Sequence, residues 1–71
     1  MSDFRYEIVI AWSDEDGAYI AAVPELPGCM ADGPTYQEAL RSAEEAIALW
    51  IDTARELGRP IPAASGHRIG V

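Results

Sequence analysis

Apolar and polar residues alternate through the start of the chain. In residues 4–12, FRYEIVIAW, aromatic and β-branched side chains occupy every second position from Phe4 to Trp12, a period that predicts a strand. The segment SDEDG, at 13–17, is rich in aspartate and ends in glycine, as hairpin turns do, and AYIAAV, at 18–23, is a suitable returning strand. The pattern therefore predicts an antiparallel hairpin.

The second predicted strand is apolar or aromatic on both of its faces, at the odd positions 19–23 and at the even positions 18–22. A sheet covered by a single helix has one buried side and is usually polar on its back. We therefore expect the back of this sheet to meet another chain. The alternative is that small alanines are simply tolerated at a surface.

After residue 34 the spacing of the apolar residues changes from every second position to every third or fourth position, which marks one long helix. Thr35 and Glu38 have the spacing of a capping box, and Gly58 followed by two prolines fits a helix end. Between them, apolar residues advance in steps of four and three, which predicts a helix over roughly residues 36–57 with one apolar stripe. The stripe consists of Tyr36, Leu40, Ala43, Ile47, Trp50, Ala54 and Leu57, widened by Ala39, Ala46 and Ile51. We expect Trp50 to lie in the core, whereas Trp12 either closes the core or anchors a partner.

The segment PELPGCMADG joins the hairpin to the helix. Pro24 ends the second strand because its nitrogen cannot donate to the ladder, and Pro27–Gly28 is a typical turn pair. Residues 29–33 are long enough for a brief third strand. The fold class expected is therefore α+β, an antiparallel meander with one long helix on one face, in a single domain of residues 1–71. Its tail, residues 63–71, has room for a short last strand at Arg68–Val71.

Charge and size narrow the functions open to this chain. It has 71 residues, with 12 acidic against 5 basic side chains and a net charge of −7, which disfavours direct nucleic-acid binding and favours basic partners. A core of this size rarely supplies more than about 3–5 kcal/mol without disulfides, metals or self-association. The single Cys29 and single His67 exclude an intrachain disulfide and a metal set, so self-association is expected.

The sequence also bears on where in the cell the protein is expected. The longest apolar run, Ile8–Trp12, is far shorter than the roughly 20 residues of a membrane span, and the polar N-terminus is not a secretory signal. We therefore expect a reduced, cytoplasmic protein without membrane contact.

Residues 6–62 resemble the HicB-like antitoxin family. The resemblance is carried by DEDGAYIA, by VPELPGC followed at this interval by TYQEAL, and by the helix exit LGRPIP. It implies a partial ribonuclease-H-like fold, β1-β2-β3-α-β4, in a homodimeric or tetrameric protein that masks a small basic mRNA-cleaving toxin (HicA-like). Members of this family usually carry a C-terminal DNA-binding module. The sequence to Val71 shows no such module, so we expect no direct DNA binding by this chain.

The residues expected to contact a partner lie at the predicted hairpin and in the proline segment. They are Trp12, Asp14, Glu15, Asp16 and Glu25, with acids of the outer helix face as weaker candidates. No catalytic, cofactor-binding or metal-binding residue is expected. The leading hypothesis is a non-enzymatic antitoxin domain, and the alternative is an orphan homo-oligomeric domain without a toxin.

A metal-dependent nuclease is a third hypothesis, which would depend on Glu7 and Asp32. Two-metal catalysis needs several converging carboxylates, and these two are the only acids expected on strands. Cys29 lacks an evident base and is expected to be a buried or half-buried thiol.

Overall fold

The computed structural model describes residues 6–63, which form a three-stranded antiparallel sheet and one long helix. The strands are β1 (Val9–Ser13), β2 (Ala18–Ala22) and β3 (Met30–Gly33), in the sheet order β1-β2-β3, and the helix is α1 (Tyr36–Leu57). The predicted meander with a helix on one face is therefore confirmed. The predicted first strand, residues 4–12, began too early, because residues 6–8 precede β1 and regular pairing begins only at Val9. Residues 4–5 lie outside the described residues.

The expected last strand, Arg68–Val71, lies outside the described residues. The ribonuclease-H-like comparison depends on that fourth strand, so it stays a prediction.

The hairpin turn is held by its own side chains. Ser13 pairs with Ala18 across the strands, and the Gly17 amide donates to the Ser13 carbonyl oxygen at 2.8 Å. Gly17 has a φ of 63°, a left-handed conformation that glycine adopts without strain. The Ser13 hydroxyl donates to the Asp16 carboxylate at 3.1 Å and accepts the Asp16 amide at 3.3 Å. These bonds explain why an Asp-rich segment reverses the chain here.

The proline segment reverses the chain and fills the core. The Leu26 amide donates to the Val23 carbonyl oxygen, the Cys29 amide donates to that of Leu26, and the Val23 amide donates to that of Cys29, each at 3.0 Å. Gly28 supplies the positive φ of 77° that follows proline in such a turn. Leu26 is thereby placed beneath the helix, where only 1% of it is exposed.

Both helix ends have the expected caps. The Thr35 hydroxyl accepts the Glu38 amide at 3.1 Å. At the other end Gly58 is left-handed, its amide donates to the Arg55 carbonyl oxygen at 3.2 Å, and the Arg59 amide donates to that of Ala54 at 2.8 Å. This is the Schellman arrangement that satisfies the last carbonyl groups of a helix.

The core changes in residue size along the helix. In the cluster beneath the start of the helix the fully buried residues are alanines, Ala21, Ala39 and Ala43, and larger side chains such as Ile10 and Tyr19 are only partly buried against them. The other cluster contains larger fully buried residues: Val23, Leu26, Cys29, Ile47 and Ile51. Gly33 lies directly under the first helical turn, because a Cβ there would come within 2.6 Å of the Ala39 amide nitrogen. Small residues therefore let the start of the helix approach the sheet closely.

The apolar stripe is less buried than its pattern predicts. Tyr36 is 56% exposed and Leu57 is 60% exposed, and Leu40 is also open to solvent. At a rise of about 1.5 Å per residue the 22-residue helix is roughly 33 Å long, whereas a five-residue strand spans about 17 Å. The helix is therefore longer than the sheet, and its C-terminal end at Leu57 extends beyond the strands. Trp50 is half-buried and packs against the core cluster.

We predict that Leu26→Ala lowers the free energy of unfolding by about 2–5 kcal/mol, because it opens a cavity under the helix. The same change at the exposed Leu57 should alter it by less than about 0.5 kcal/mol. Urea unfolding followed by circular dichroism, at one protein concentration for all variants, measures both. Equal unfolding midpoints for the two variants would contradict the placement of Leu26.

We also predict that Gly33→Ala destabilises the fold by about 1–3 kcal/mol, because the added methyl group meets helix backbone that has no room to move. Asp32→Ala is the control, since it changes the adjacent, exposed position of the same strand. Thermal unfolding of the two variants gives the comparison. A Gly33→Ala protein as stable as the control would show that the helix does not rest on this strand.

Candidate protein-binding surface

An exposed tryptophan stands beside three acids at the hairpin turn. Trp12 is 51% exposed, and its indole Nε1 donates to the Asp14 carboxylate at 2.6 Å. Asp14, Glu15 and Asp16 are all exposed in the turn. Because Asp14 is bonded to Trp12 and Asp16 to Ser13, two of the three carboxylates have fixed positions. The structure therefore brings together four of the five predicted partner-contact residues.

Two tyrosines extend this surface towards the helix. Trp12 pairs with Tyr19 across the strands, and their rings meet edge to face at 5.1 Å between centroids. Tyr19 meets Tyr36 in the same manner at 5.9 Å. Edge-to-face packing fixes the orientation of aromatic rings. We call the six residues of this surface the acidic–aromatic tip: Trp12, Asp14, Glu15, Asp16, Tyr19 and Tyr36.

Sequence analysis missed Tyr36 as a member of this surface because the periodic pattern placed it in the core stripe. The sequence shows the short connection between β3 and the helix, but the strand register that brings Tyr19 next to it comes from the structure. Gly33 pairs with Tyr19, and only two residues separate Gly33 from Tyr36. The first helical side chain must therefore lie near Tyr19.

Glu25, the fifth predicted contact residue, lies at the opposite end of the sheet. Its carboxylate accepts the Glu7 amide at 3.0 Å, at the start of the segment that leads into β1. Six residues separate Glu7 from Ser13, so Glu25 is about 20 Å from the tip at roughly 3.4 Å per residue. Glu25 therefore does not belong to the same surface as the tip.

A groove runs between β3 and the flank of the helix, about 320 Å³ in volume. The Trp50 indole Nε1 donates to the Pro27 carbonyl oxygen at 2.9 Å, which fixes this ring beside the proline segment. Met30 is 61% exposed and Leu49 is 68% exposed at the groove. We call this feature the β3 groove, lined by Gly28, Cys29, Met30, Ala46, Leu49, Trp50, Thr53, Ala54 and Arg59.

The carboxylates considered for a nuclease are far apart. Asp32 lies opposite Ile20, which lies opposite Ala11, four residues beyond Glu7. With strands about 4.8 Å apart and about 3.4 Å per residue, the Cα atoms of Glu7 and Asp32 are separated by roughly 17 Å, whereas the ions of a two-metal site are about 4 Å apart. Among residues 6–63, no group of three His, Cys, Asp or Glu side chains is arranged to hold a metal ion.

In the part of the chain that the structure describes, no helix has the length and apolarity that a bilayer crossing requires.

Comparison with known proteins identifies the class of this small acidic α+β domain. Residues 6–68 match the family described as the HicB-like antitoxin of bacterial toxin–antitoxin systems. A UPF0150 protein of Thermoplasma acidophilum is 39% identical over 67 residues, which cover 94% of this chain and 96% of that protein. A UPF0150 protein of Synechocystis is 34% identical over 59 residues, covering 83% and 73%. The chain therefore belongs to the HicB-like antitoxin family, which confirms the resemblance found in the sequence.

Cys29 is a buried thiol at the floor of the β3 groove. Only 4% of the residue is exposed, and burial raises the pKa of its thiol because the thiolate would lose its hydration. Burial therefore favours the protonated thiol over the thiolate.

A raised pKa predicts a dependence of stability on pH. Above the ordinary thiol pKa of about 8.5, the unfolded chain loses a proton that the folded chain keeps, so the free energy of unfolding should fall as pH rises. Cys29→Ala should remove this component of the pH dependence. Urea unfolding of both proteins between pH 7 and pH 10 makes the comparison. Parallel pH profiles would contradict a buried, protonated thiol.

Proposed function

We propose that this chain is an antitoxin domain that binds and masks a small, basic, mRNA-cleaving toxin (HicA-like), with no reaction of its own. The observation that carries the proposal is the acidic–aromatic tip on a member of the HicB-like antitoxin family. A half-exposed tryptophan beside acids is well suited to a basic protein surface. The net charge of −7 has the sign that such a partner requires.

The mechanism we propose is steric and electrostatic. A toxin that cleaves mRNA needs cationic side chains to bind phosphates, and acids of the tip would occupy the same side chains. The acids would accelerate encounter, and Trp12 would anchor the complex by burying its exposed face. Because Asp14 and Asp16 already take part in hydrogen bonds within the hairpin, these two carboxylates would lose less freedom when a partner binds.

We further propose that the domain works in the cytoplasm and is homodimeric or tetrameric. The exposed apolar side chains on the sheet and on the helix flank support self-association, since Val9, Met30 and Leu49 lie outside the core. A cytoplasmic site agrees with an mRNA-cleaving partner and with the reduced thiol of Cys29.

Co-expression with a toxin of this kind from a neighbouring reading frame tests the function. We expect the two proteins to co-purify and the chain to inhibit RNA cleavage by the toxin at a stoichiometric ratio. Trp12→Ala should weaken binding about 30-fold or more, as hot-spot tryptophans do. Neutralising the tip by Asp14→Asn, Glu15→Gln and Asp16→Asn together should mainly slow association and reduce its salt dependence.

The matched control neutralises three exposed acids away from the tip, by Glu45→Gln, Asp52→Asn and Glu56→Gln, which changes the net charge equally. This variant should bind the toxin nearly as well as the native chain. A toxin that neither binds nor is inhibited would overturn the proposed function. Equal losses in the two triple variants would show that net charge, and not the tip, recognises the toxin.

A further inference from the structure

We propose that two copies of this chain associate through the β3 groove and the outer edge of β3, with β3 pairing antiparallel to its counterpart about a twofold axis. The inference rests on the self-association proposed above and assigns it to one surface. In this arrangement the acidic–aromatic tips of both copies remain accessible to a partner.

The outer edge of β3 has backbone groups ready for pairing. The sheet order makes β3 an edge strand within residues 6–63. The Val23 amide donates to the Cys29 carbonyl oxygen, and two residues further along β3 Ala31 lies opposite Ala21. In an antiparallel pair the backbone groups of every second residue point towards the neighbouring strand. Those of Cys29 and Ala31 therefore point towards β2. The amide and carbonyl groups of Met30 and Asp32 consequently point outward. An open edge of this kind is a template for another strand.

The apolar groove beside this edge supplies the side-chain contacts. Its lining includes two large and mostly exposed side chains, Met30 and Leu49, together with the half-buried ring of Trp50. A specific dimer buries about 800 Å² on each partner, roughly one sixth of the 4930 Å² that this chain exposes. A four-residue strand cannot provide that area alone. The edge and the groove are contiguous, so one partner can cover both.

On the β1 side of the sheet, the chain after the helix contacts the segment that leads into β1. The segment after the helix passes the start of the first strand, where the Tyr6 hydroxyl donates to the Pro62 carbonyl oxygen and Ile61 packs against the core. The chain therefore covers part of its own surface on the β1 side. Within residues 6–63, no segment pairs with the outer edge of β3.

Charge favours a second copy as the occupant of the groove. Two chains of charge −7 repel one another wherever acids face each other, so a surface of low charge is the more favourable place for identical chains to meet. Among the groove residues Arg59 alone is charged, and β3 contributes one acid, Asp32. A basic partner would be drawn instead to the acids of the tip.

The proposed register keeps those two acids apart. With Ala31 opposite its counterpart on the twofold axis, Met30 of each copy lies opposite Asp32 of the other. The small Ala31 side chains meet at the axis, so the strands can approach to hydrogen-bonding distance. The two tips then lie at opposite ends of one six-stranded sheet, and each stays accessible.

Sedimentation equilibrium over a concentration series tests the surface. We expect the native chain to dimerise at micromolar concentration and Leu49→Asp to raise the dissociation constant at least 100-fold, because it places a charge in the groove. Leu57→Asp is the matched control, since Leu57 is similarly exposed on the same helix but does not line the groove. It should dimerise like the native chain, and circular dichroism establishes that all three proteins are folded.

Amide hydrogen exchange tests the strand edge directly. The Met30 and Asp32 amides should become protected as protein concentration rises, whereas the Ala31 amide, bonded to β2, should be protected at every concentration. A native chain that stays monomeric throughout would overturn the proposal. So would a dimer that Leu49→Asp leaves intact or in which Met30 and Asp32 exchange freely, because the copies would then meet elsewhere, as on the back of the sheet.

Toxin binding separates this inference from the proposed function. Leu49→Asp should abolish dimerisation and retain toxin binding at each tip. Trp12→Ala should instead weaken toxin binding and retain dimerisation. Loss of toxin binding in Leu49→Asp with the dimer intact would assign the groove to the toxin and overturn the inference. Dimerisation through β3 without any toxin binding would support the inference while contradicting the antitoxin function.

Discussion

The close approach of the helix to β3 is the constraint from which most other features follow. Gly33 lies against the helix backbone at Ala39, and the fully buried core positions beside it are alanines, so the helix lies close to the sheet at this end. Large side chains there are partly buried, as Tyr19 is, or largely exposed, as Trp12 and Tyr36 are. A small interior leaves a small chain with surface suited to partners.

The molecule separates its charged and neutral surfaces by position along the sheet. The tip combines acids with aromatic rings at the hairpin end, whereas the β3 groove is nearly neutral and lies beside the proline segment. Attraction of a basic protein and contact with an identical acidic chain make opposite demands on charge. One small domain can meet both demands only when the two surfaces are distinct.

Local patterns predicted the elements well, because each has a strong short-range cause. The helix bounds of 36–57 are those of the structure, since Thr35 and Gly58 cap it through their own hydrogen bonds. Burial along the stripe was less predictable, because the exposure of Leu57 depends on the length of the sheet beneath it. Similarly, the separation of Glu25 from the tip follows from strand direction, which a residue type does not reveal. Three acids next to a tryptophan could be recognised from sequence alone, whereas the contribution of Tyr36 required the packing of helix on sheet.

The glycine contact under the helix also bears on the entropy of recognition. Because the helix backbone rests on strand backbone at Gly33, the start of the helix has little freedom to slide or tilt. Tyr36 at the helix start and Trp12 on the hairpin are thereby held in a fixed relation through Tyr19. A surface that is already ordered before contact does not have to lose conformational freedom when it is covered, so more of the gross interaction energy remains as affinity.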